Sequence, residues 1–310
     1  MEEPVVFQPN HTLSLNPHNL KRVYGITIEF NQEGKEKQIL RYELEVLARK
    51  NKDKKSWLFQ FDRRNVFINM KRPDTIAEKL AYECGQVMYP MQIEVSTNWS
   101  KRVVKSRSLA KEKLKALEAR TREMYNSGIV DKYFGKAWET LNDKNKYLRA
   151  VEQNLFLPFF FAPLYERYNM LENIAETEMR LPIIPFCKPA LYSSTQKVLP
   201  NYTRFNTITV VQDGELSDQR TEKDFINAFD DPVFIGKGQS KKAKGKIQAK
   251  FELHRDTRVL HSLTAKGSID LPKKKGRSFE LQAYYLSERD KVIKDSVIVP
   301  IKQSKKEKDE

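Results

Sequence analysis

The stretch "GKIQAKFELHRDTRVLHSLTAKGSIDLPKKKGRSFELQAYYLSE", residues 245–288, contains three runs in which apolar and polar residues alternate. Successive side chains of a strand lie on opposite faces, so each run predicts a strand with one buried face. The segments RDTR (255–258) and PKKKGR (272–277) interrupt the alternation with turn-forming residues. We therefore predict two consecutive hairpins here, followed by an edge strand at SVIVPI (296–301).

The same alternation occurs in three N-terminal segments and in one segment after the middle of the chain. It occurs in YGITIEF (24–30), QILRYELEVLAR (38–49) and SWLFQFDRRNVFINM (56–70), and again in RFNTITVVQDG (204–214). A short helix is predicted at PDTIAEKLAYECG (73–85), because Pro73 suits a helix start and Gly85 a helix end. The fold class predicted is α+β, with one curved antiparallel sheet built from both ends of the chain.

Between these strand-rich segments, two apolar stripes recur at helical spacing. The members of the first stripe are Trp99, Val103, Ala110, Leu114, Leu117 and Met124. The members of the second are Val130, Phe134, Trp138, Leu141, Leu148, Val151 and Leu155. Asn126, Ser127 and Gly128 separate the stripes with turn residues, so we expect a long helical hairpin at about 97–170, packed against the sheet.

The second stripe leads into "LFLPFFFAPLY", residues 155–165, which carries no charge or amide side chain. As a helix it would span about 16 Å, roughly half of a bilayer core, and two prolines interrupt it. We predict no transmembrane segment, and we place Phe159 to Phe161 in the protein core. The alternative is a pocket for a lipid-like ligand, lined by these rings with Tyr165 and Tyr168.

The same patterns suggest a domain organisation. Residues 1–19 have no periodicity and predict an extended arm, and residues 20–300 predict a single α+β domain. Within that domain, residues 181–201 are rich in proline and predict a long crossover. The charged residues 301–310 predict a disordered tail.

Composition restricts the compartment and the class of protein. The N-terminal residues are acidic where a signal peptide is basic, and no apolar segment follows them. Cys84 and Cys187 are the only cysteines, too few for a disulfide scaffold or a four-cysteine zinc site. We therefore expect a reduced, cytoplasmic protein.

No arrangement of catalytic residues is recognisable, so we expect no enzyme and no cofactor. The glycine- and lysine-rich segment GKGQSKKAKGK (236–246) lacks the spacing of a phosphate-binding loop. One metal hypothesis stays open: a two-residue turn at Asp256 and Thr257 would place Glu252 opposite His261, with His254 on the same face. The alternative is that this face of the sheet is simply solvated.

The net charge of +15 favours acidic partners. Residues 101–126 hold nine Lys or Arg against three Glu, and residues 236–310 hold twenty against ten Asp or Glu. Clustered cations on a defined surface can contact phosphates or an acidic protein, but lysine-rich turns also protect sheet edges and keep a protein soluble. The candidate contact residues are Lys241, Lys242, Lys244, Lys246, Lys273, Lys274, Lys275 and Arg277. Among the aromatic residues, one of the neighbours Tyr284 and Tyr285 must face outward.

One layout resembles a known group of proteins. NW (98–99), YFGKAW (133–138) and NLFLPFFFAPLYERY (154–168) are similar to segments of uncharacterised bacterial proteins that accompany type VI-like contractile secretion systems. This resemblance implies a cytoplasmic protein that binds other proteins and has no catalytic residues. A curved antiparallel sheet around helices is also similar to the half-barrels of lipoprotein carriers, but those are exported and no signal peptide is predicted here.

These observations favour a non-enzymatic protein that binds another macromolecule, most simply as a structural or accessory component of a multiprotein, secretion-type assembly. The first alternative is a nucleic-acid-binding protein that uses the lysine-rich loops. The second is a half-barrel that binds an apolar ligand or lipid.

Overall fold

The computed structural model describes residues 3–18, 20–51, 56–96, 102–125, 127–234 and 241–286. Within these residues, eleven strands form one antiparallel sheet, which is long, curved and not closed. The strands are β1 (Lys21–Gln32), β2 (Gln38–Lys50), β3 (Ser56–Ile68), β4 (Met91–Ser96), β5 (Arg102–Val104), β6 (Ile174–Leu181), β7 (Ala190–Val198), β8 (Thr207–Leu216), β9 (Lys244–His254), β10 (Leu260–Asp270) and β11 (Arg277–Tyr285). The helices are α1 (Ile76–Gln86), α2 (Arg107–Met124), α3 (Gly128–Asn142), α4 (Lys144–Glu152), α5 (Phe156–Phe160) and α6 (Glu222–Ile226).

The two ends of the chain meet in the middle of the sheet. The strand order is β5-β4-β3-β2-β1-β11-β10-β9-β8-β7-β6, with β1 paired to β11 from Tyr24 opposite Tyr285 to Gln32 opposite Arg277. This confirms the prediction that strands from both chain ends form one curved antiparallel sheet. The hairpins predicted at 245–288 are also present, as β9, β10 and β11.

The alternation that predicted these strands determines which face is buried. On β9, Ile247, Phe251 and Leu253 are buried, while Gln248 and Lys250 between them are exposed. The face that carries the buried apolar side chains is called the inner face, and the opposite face is called the outer face. Burial of the inner face removes apolar area from water and is the main stabilising contribution of the sheet.

The long helical hairpin predicted at 97–170 is not confirmed in that form. The short strand β5 occupies part of the predicted first helix, and its Val103 is exposed rather than packed. Asp143 divides the predicted second helix, because its backbone is extended and its carboxylate accepts hydrogen bonds from the first amides of α4. Met124 is exposed, and Trp99 lies outside the described residues. Among the described helices, none is both long and apolar enough to cross a membrane.

The apolar stretch at 155–165 lies in the core, as predicted. Phe156 and Phe159 are fully buried, whereas Phe160 and Phe161 are partly buried against the core. The ring of Phe159 lies 5.9 Å from that of Phe279 and 6.4 Å from that of Phe251, measured between centroids. These contacts favour the core interpretation of the stretch over the ligand pocket.

The predictions of an arm, a crossover and a tail compare differently with the structure. In the arm, Leu13 is buried and the amide of Val5 donates to the carbonyl of Pro200 at 2.8 Å, so residues 3–18 pack against the body. The segment 181–201 contains β7, with prolines before and after this strand, because a proline inside a sheet would remove a ladder hydrogen bond. The predicted edge strand at 296–301 and the tail at 301–310 lie outside the described residues.

Candidate anion-binding surface

The structure brings the two lysine-rich segments to one end of the sheet. In the pairing of β9 with β10, Lys244 lies opposite Asp270 and Lys246 opposite Ser268, so β9 begins where β10 ends. In the pairing of β10 with β11, Ile269 lies opposite Arg277, so the turn between these strands projects from the same end. We call this surface the basic end; it consists of Lys241, Lys242, Lys244, Lys246, Lys273, Lys274, Lys275 and Arg277.

The cations of the basic end are available to a partner. All seven lysines are exposed and Arg277 is partly exposed. None of the eight makes an ion pair with a carboxylate among the described residues. Other lysines of the same sheet are paired, as Lys250 is with Glu252 at 2.8 Å and Lys37 is with Glu29. The basic end therefore carries positive charge that the described part of the chain does not neutralise by contact.

The turn that carries Lys273 and Lys274 is conformationally unusual. Both residues have left-handed backbones, with φ of 57° and 58°, and the amide of Lys275 donates to the carbonyl of Pro272 at 3.3 Å. Two consecutive left-handed residues make a hairpin turn in which Asn-Gly is the preferred pair. A side chain other than Gly or Asn costs on the order of 1–2 kcal/mol at such a position. The turn therefore carries two lysines at positions where Asn and Gly are preferred.

Carboxylates interleave with these cations on the strands themselves. Lys246 lies opposite Glu215 of β8, and Lys244 lies opposite Asp270 of β10. The unbalanced charge is therefore concentrated in the turn residues rather than spread along the outer face.

The exposed aromatic residue predicted from the sequence lies far from the basic end. Tyr284 is exposed, which confirms that one member of the Tyr284–Tyr285 pair faces outward. It stands seven residues along β11 from Arg277, a distance of about 23 Å. The ring of Tyr285 lies 4.1 Å from the guanidinium of Arg22. A nucleic acid that stacked a base on Tyr284 could therefore contact the basic end only with phosphates from a distant part of its chain.

The register of β9 and β10 contradicts the arrangement required by the metal hypothesis. His254 pairs with Val259, so the turn is longer than the two residues that the hypothesis needed, and a bulge at His261 places Ser262 opposite Glu252. No group of three His, Cys, Asp or Glu among the described residues has an arrangement that could hold a metal ion.

Glu252 is held by protein donors, and its surroundings are partly buried rather than simply solvated. Its carboxylate accepts hydrogen bonds from the hydroxyls of Thr207 at 2.6 Å and Thr209 at 3.0 Å. Burial, with Arg22 and His254 nearby, lowers the pKa of His261.

Two arginines were missed by the sequence analysis. Arg63 follows Phe59 and Phe61 at the spacing of one strand face, so this period of two could have placed it on the inner face. Arg220 is almost fully buried beyond β8 and bonded to Asp218 at 2.7 Å. No local sequence pattern predicts the burial of Arg220, because most of the groups that surround its side chain come from distant loops.

The comparisons with known proteins do not identify a family. No protein-family model matches the sequence, and no curated protein matches it either. A solved structure titled "Lipid-protein interactions in lipovitellin" is similar at 10% identity with a TM-score of 0.45, covering 87% of this chain and 25% of that one. The chain thus spans about a quarter of the length of that neighbour, and a likeness this low carries no argument about function.

Proposed function

We propose that this protein is a non-enzymatic, cytoplasmic binding protein that holds an acidic segment of another protein at its basic end. The observation that carries the proposal is the convergence of eight cations, none paired with a described carboxylate, on one end of the sheet. Binding converts this exposed charge into complementary contacts and steers association with an acidic partner.

The left-handed turn at Lys273 and Lys274 supports the same assignment. A turn that only had to connect two strands would be more stable with Asn and Gly at these positions. Backbone strain of this kind is typical of sites where side chains are held for binding.

The wider role that we propose is that of a structural or accessory component of a multiprotein assembly. The resemblance of residues 98–168 to proteins that accompany contractile secretion systems favours an assembly of that type. Nucleic-acid binding is the alternative that uses the same cations; the distance from these cations to the exposed Tyr284 disfavours a single-strand mode that stacks bases on this ring.

The test measures binding affinity over a series of salt concentrations. The ligands are a short Glu-rich peptide and duplex DNA, and fluorescence anisotropy reports their binding. The variant Lys273→Glu/Lys274→Glu/Lys275→Glu should abolish peptide binding, because it reverses three charges of the basic end. A matched control, Lys115→Glu/Lys132→Glu/Lys136→Glu, changes the net charge equally on exposed positions of α2 and α3 and should bind like the wild type.

Each outcome has a distinct meaning. Duplex DNA should be retained only weakly at physiological salt if the proposal is correct. If DNA binds tightly, with a slope of log affinity against log salt near about −5 that the first triple variant flattens, the surface is a nucleic-acid site and the proposal is wrong. If neither probe binds even at low salt, the charge serves solubility only, and the proposal is again wrong.

A further inference from the structure

A small cavity lies on the inner face of the sheet. It has a volume of about 320 Å³ and lies between β1 to β4, the segment that follows α1, and α4. Its wall is largely apolar, formed by Ile28, Phe30, Leu40, Met88, Met91 and Leu155. Phe30, Leu40 and Met88 are only partly buried, so the cavity opens to solvent at this apolar rim.

One cation lines this cavity. The Nε of Arg63 donates to Oε1 of Gln86 at 3.1 Å, and its guanidinium stacks 4.6 Å from the ring centroid of Tyr89. These contacts hold the guanidinium in place but leave its two terminal nitrogens without a hydrogen bond or ion pair to any described residue. A guanidinium presents these donors as a fork that matches two oxygens of a carboxylate.

A second donor lines the same cavity. Tyr42 is only 5% exposed, yet its hydroxyl makes no hydrogen bond to a described residue. Burial raises the pKa of Tyr42, so the hydroxyl keeps its proton and remains a donor. The hydroxyl can therefore donate its proton to an acceptor atom of a ligand in the cavity.

The two donors and the apolar wall together specify a ligand class. We propose that this cavity binds a medium-chain fatty carboxylate, with its head group against Arg63 and Tyr42 and its chain along the apolar wall. The cavity volume lies at the lower end of the range of about 300–1,000 Å³ for small-molecule sites, which suits one short chain better than a two-chain lipid. This site shares no residue with the basic end, so each proposal can fail without the other.

Isothermal titration calorimetry with decanoate tests the proposal, with 1-decanol as a ligand of similar chain that lacks the carboxylate. Arg63→Met should weaken decanoate binding by about tenfold or more, since a charge-assisted hydrogen bond contributes at least that factor. Tyr42→Phe should weaken it less, and neither change should alter 1-decanol binding more than about threefold. Arg41→Met is the matched control, because Arg41 precedes Tyr42 but is exposed on the outer face.

A further variant tests the location of the chain. Ala150 of α4 lines the cavity, and Ala150→Phe should fill it and abolish binding of both ligands. Circular dichroism and the thermal midpoint establish that each variant is folded. Absence of decanoate binding to the wild type, equal affinity in Arg63→Met, or unchanged binding in a folded Ala150→Phe variant would each overturn the proposal.

Discussion

The end of the sheet that carries the lysine-rich turns also holds Arg220, and these cations are used in opposite ways. The side chain of Arg220 is 2% exposed and donates to Asp218 and to three backbone carbonyls, those of Lys188, Pro189 and Phe229. The lysines of the turn are exposed and contact no described carboxylate. A structural cation is buried and its N–H donors are hydrogen-bonded within the protein. A cation available to a partner is exposed and its donors face solvent, although both carry the same charge.

The contacts of Arg220 explain why it can be buried. Moving a guanidinium out of water is costly unless the charge is paired and the donors are satisfied. Asp218 supplies the counter-charge, at 2.7 Å from Nη2 and 2.9 Å from Nε, and the three carbonyls belong to two loops. Arg220 therefore joins β8 to the loop before β7 and to the loop after α6.

Removal of Arg220 is the largest effect that we predict. Arg220→Met should lower the free energy of unfolding by about 3–5 kcal/mol, because Asp218 is left as a buried charge without its partner. Urea denaturation followed by circular dichroism measures this change. Lys242→Met, at an exposed position, is the control and should change stability by no more than about 0.5 kcal/mol. A loss below about 1 kcal/mol for Arg220→Met would contradict the structural role.

The pH dependence of the same pair provides a second prediction. Burial alone would raise the pKa of Asp218, but hydrogen bonds from Arg220 and from the Leu191 amide outweigh it and hold the pKa below the ordinary value of 3.8. A carboxylate with a lowered pKa stabilises the fold above its unfolded pKa, and this contribution is lost as the pH falls through the folded pKa.

The stability difference between wild type and Asp218→Asn should therefore be full above about pH 5 and shrink as the pH falls below that range. Urea denaturation at a series of pH values measures the difference. Asp256→Asn, in an exposed turn, is the control and should stay within about 0.5 kcal/mol of the wild type at each pH. A difference that stayed constant down to about pH 2 would argue against the lowered pKa.

The smallest predicted effect has the opposite sign. Lys273→Asn/Lys274→Gly should raise the free energy of unfolding by about 1 kcal/mol, because these residues accept the left-handed turn at less cost. The same change should weaken binding of the Glu-rich peptide, since it removes two charges. Lys275→Asn, whose backbone is not left-handed, should weaken binding without the gain in stability. A double variant that was no more stable than the wild type would remove the argument from strain.

Local patterns predicted the strands well and the helices less well. Alternation over 245–288 identified β9, β10 and β11, because a period of two follows directly from strand geometry. The helical stripes at 99–155 contained most of the residues that become buried, but they did not show that β5 pairs with β4 or that Asp143 begins a new helix. Pairing with a neighbouring strand and capping by one side chain override a periodic pattern.

The sequence also did not predict the pairing register of β9 and β10. The metal hypothesis failed because one extended turn and one bulge moved His261 away from the position opposite Glu252. A shift of one residue exchanges the two faces of a strand, so that a site composed across two strands depends on the turn that joins them. Glu252 is instead held by the threonines of β8.

By itself, the sequence determined the α+β class, the sheet made from both chain ends, the burial of Phe159 and the identity of the cations in the two lysine-rich segments. Only the tertiary structure decided that Arg220 is buried and that Arg63 and Tyr42 line one cavity with Ala150 of α4. The reason is physical: periodicity reports the face on which a residue lies, through local backbone geometry. Which loops, strands and helices then meet depends on packing between segments that are far apart in the chain.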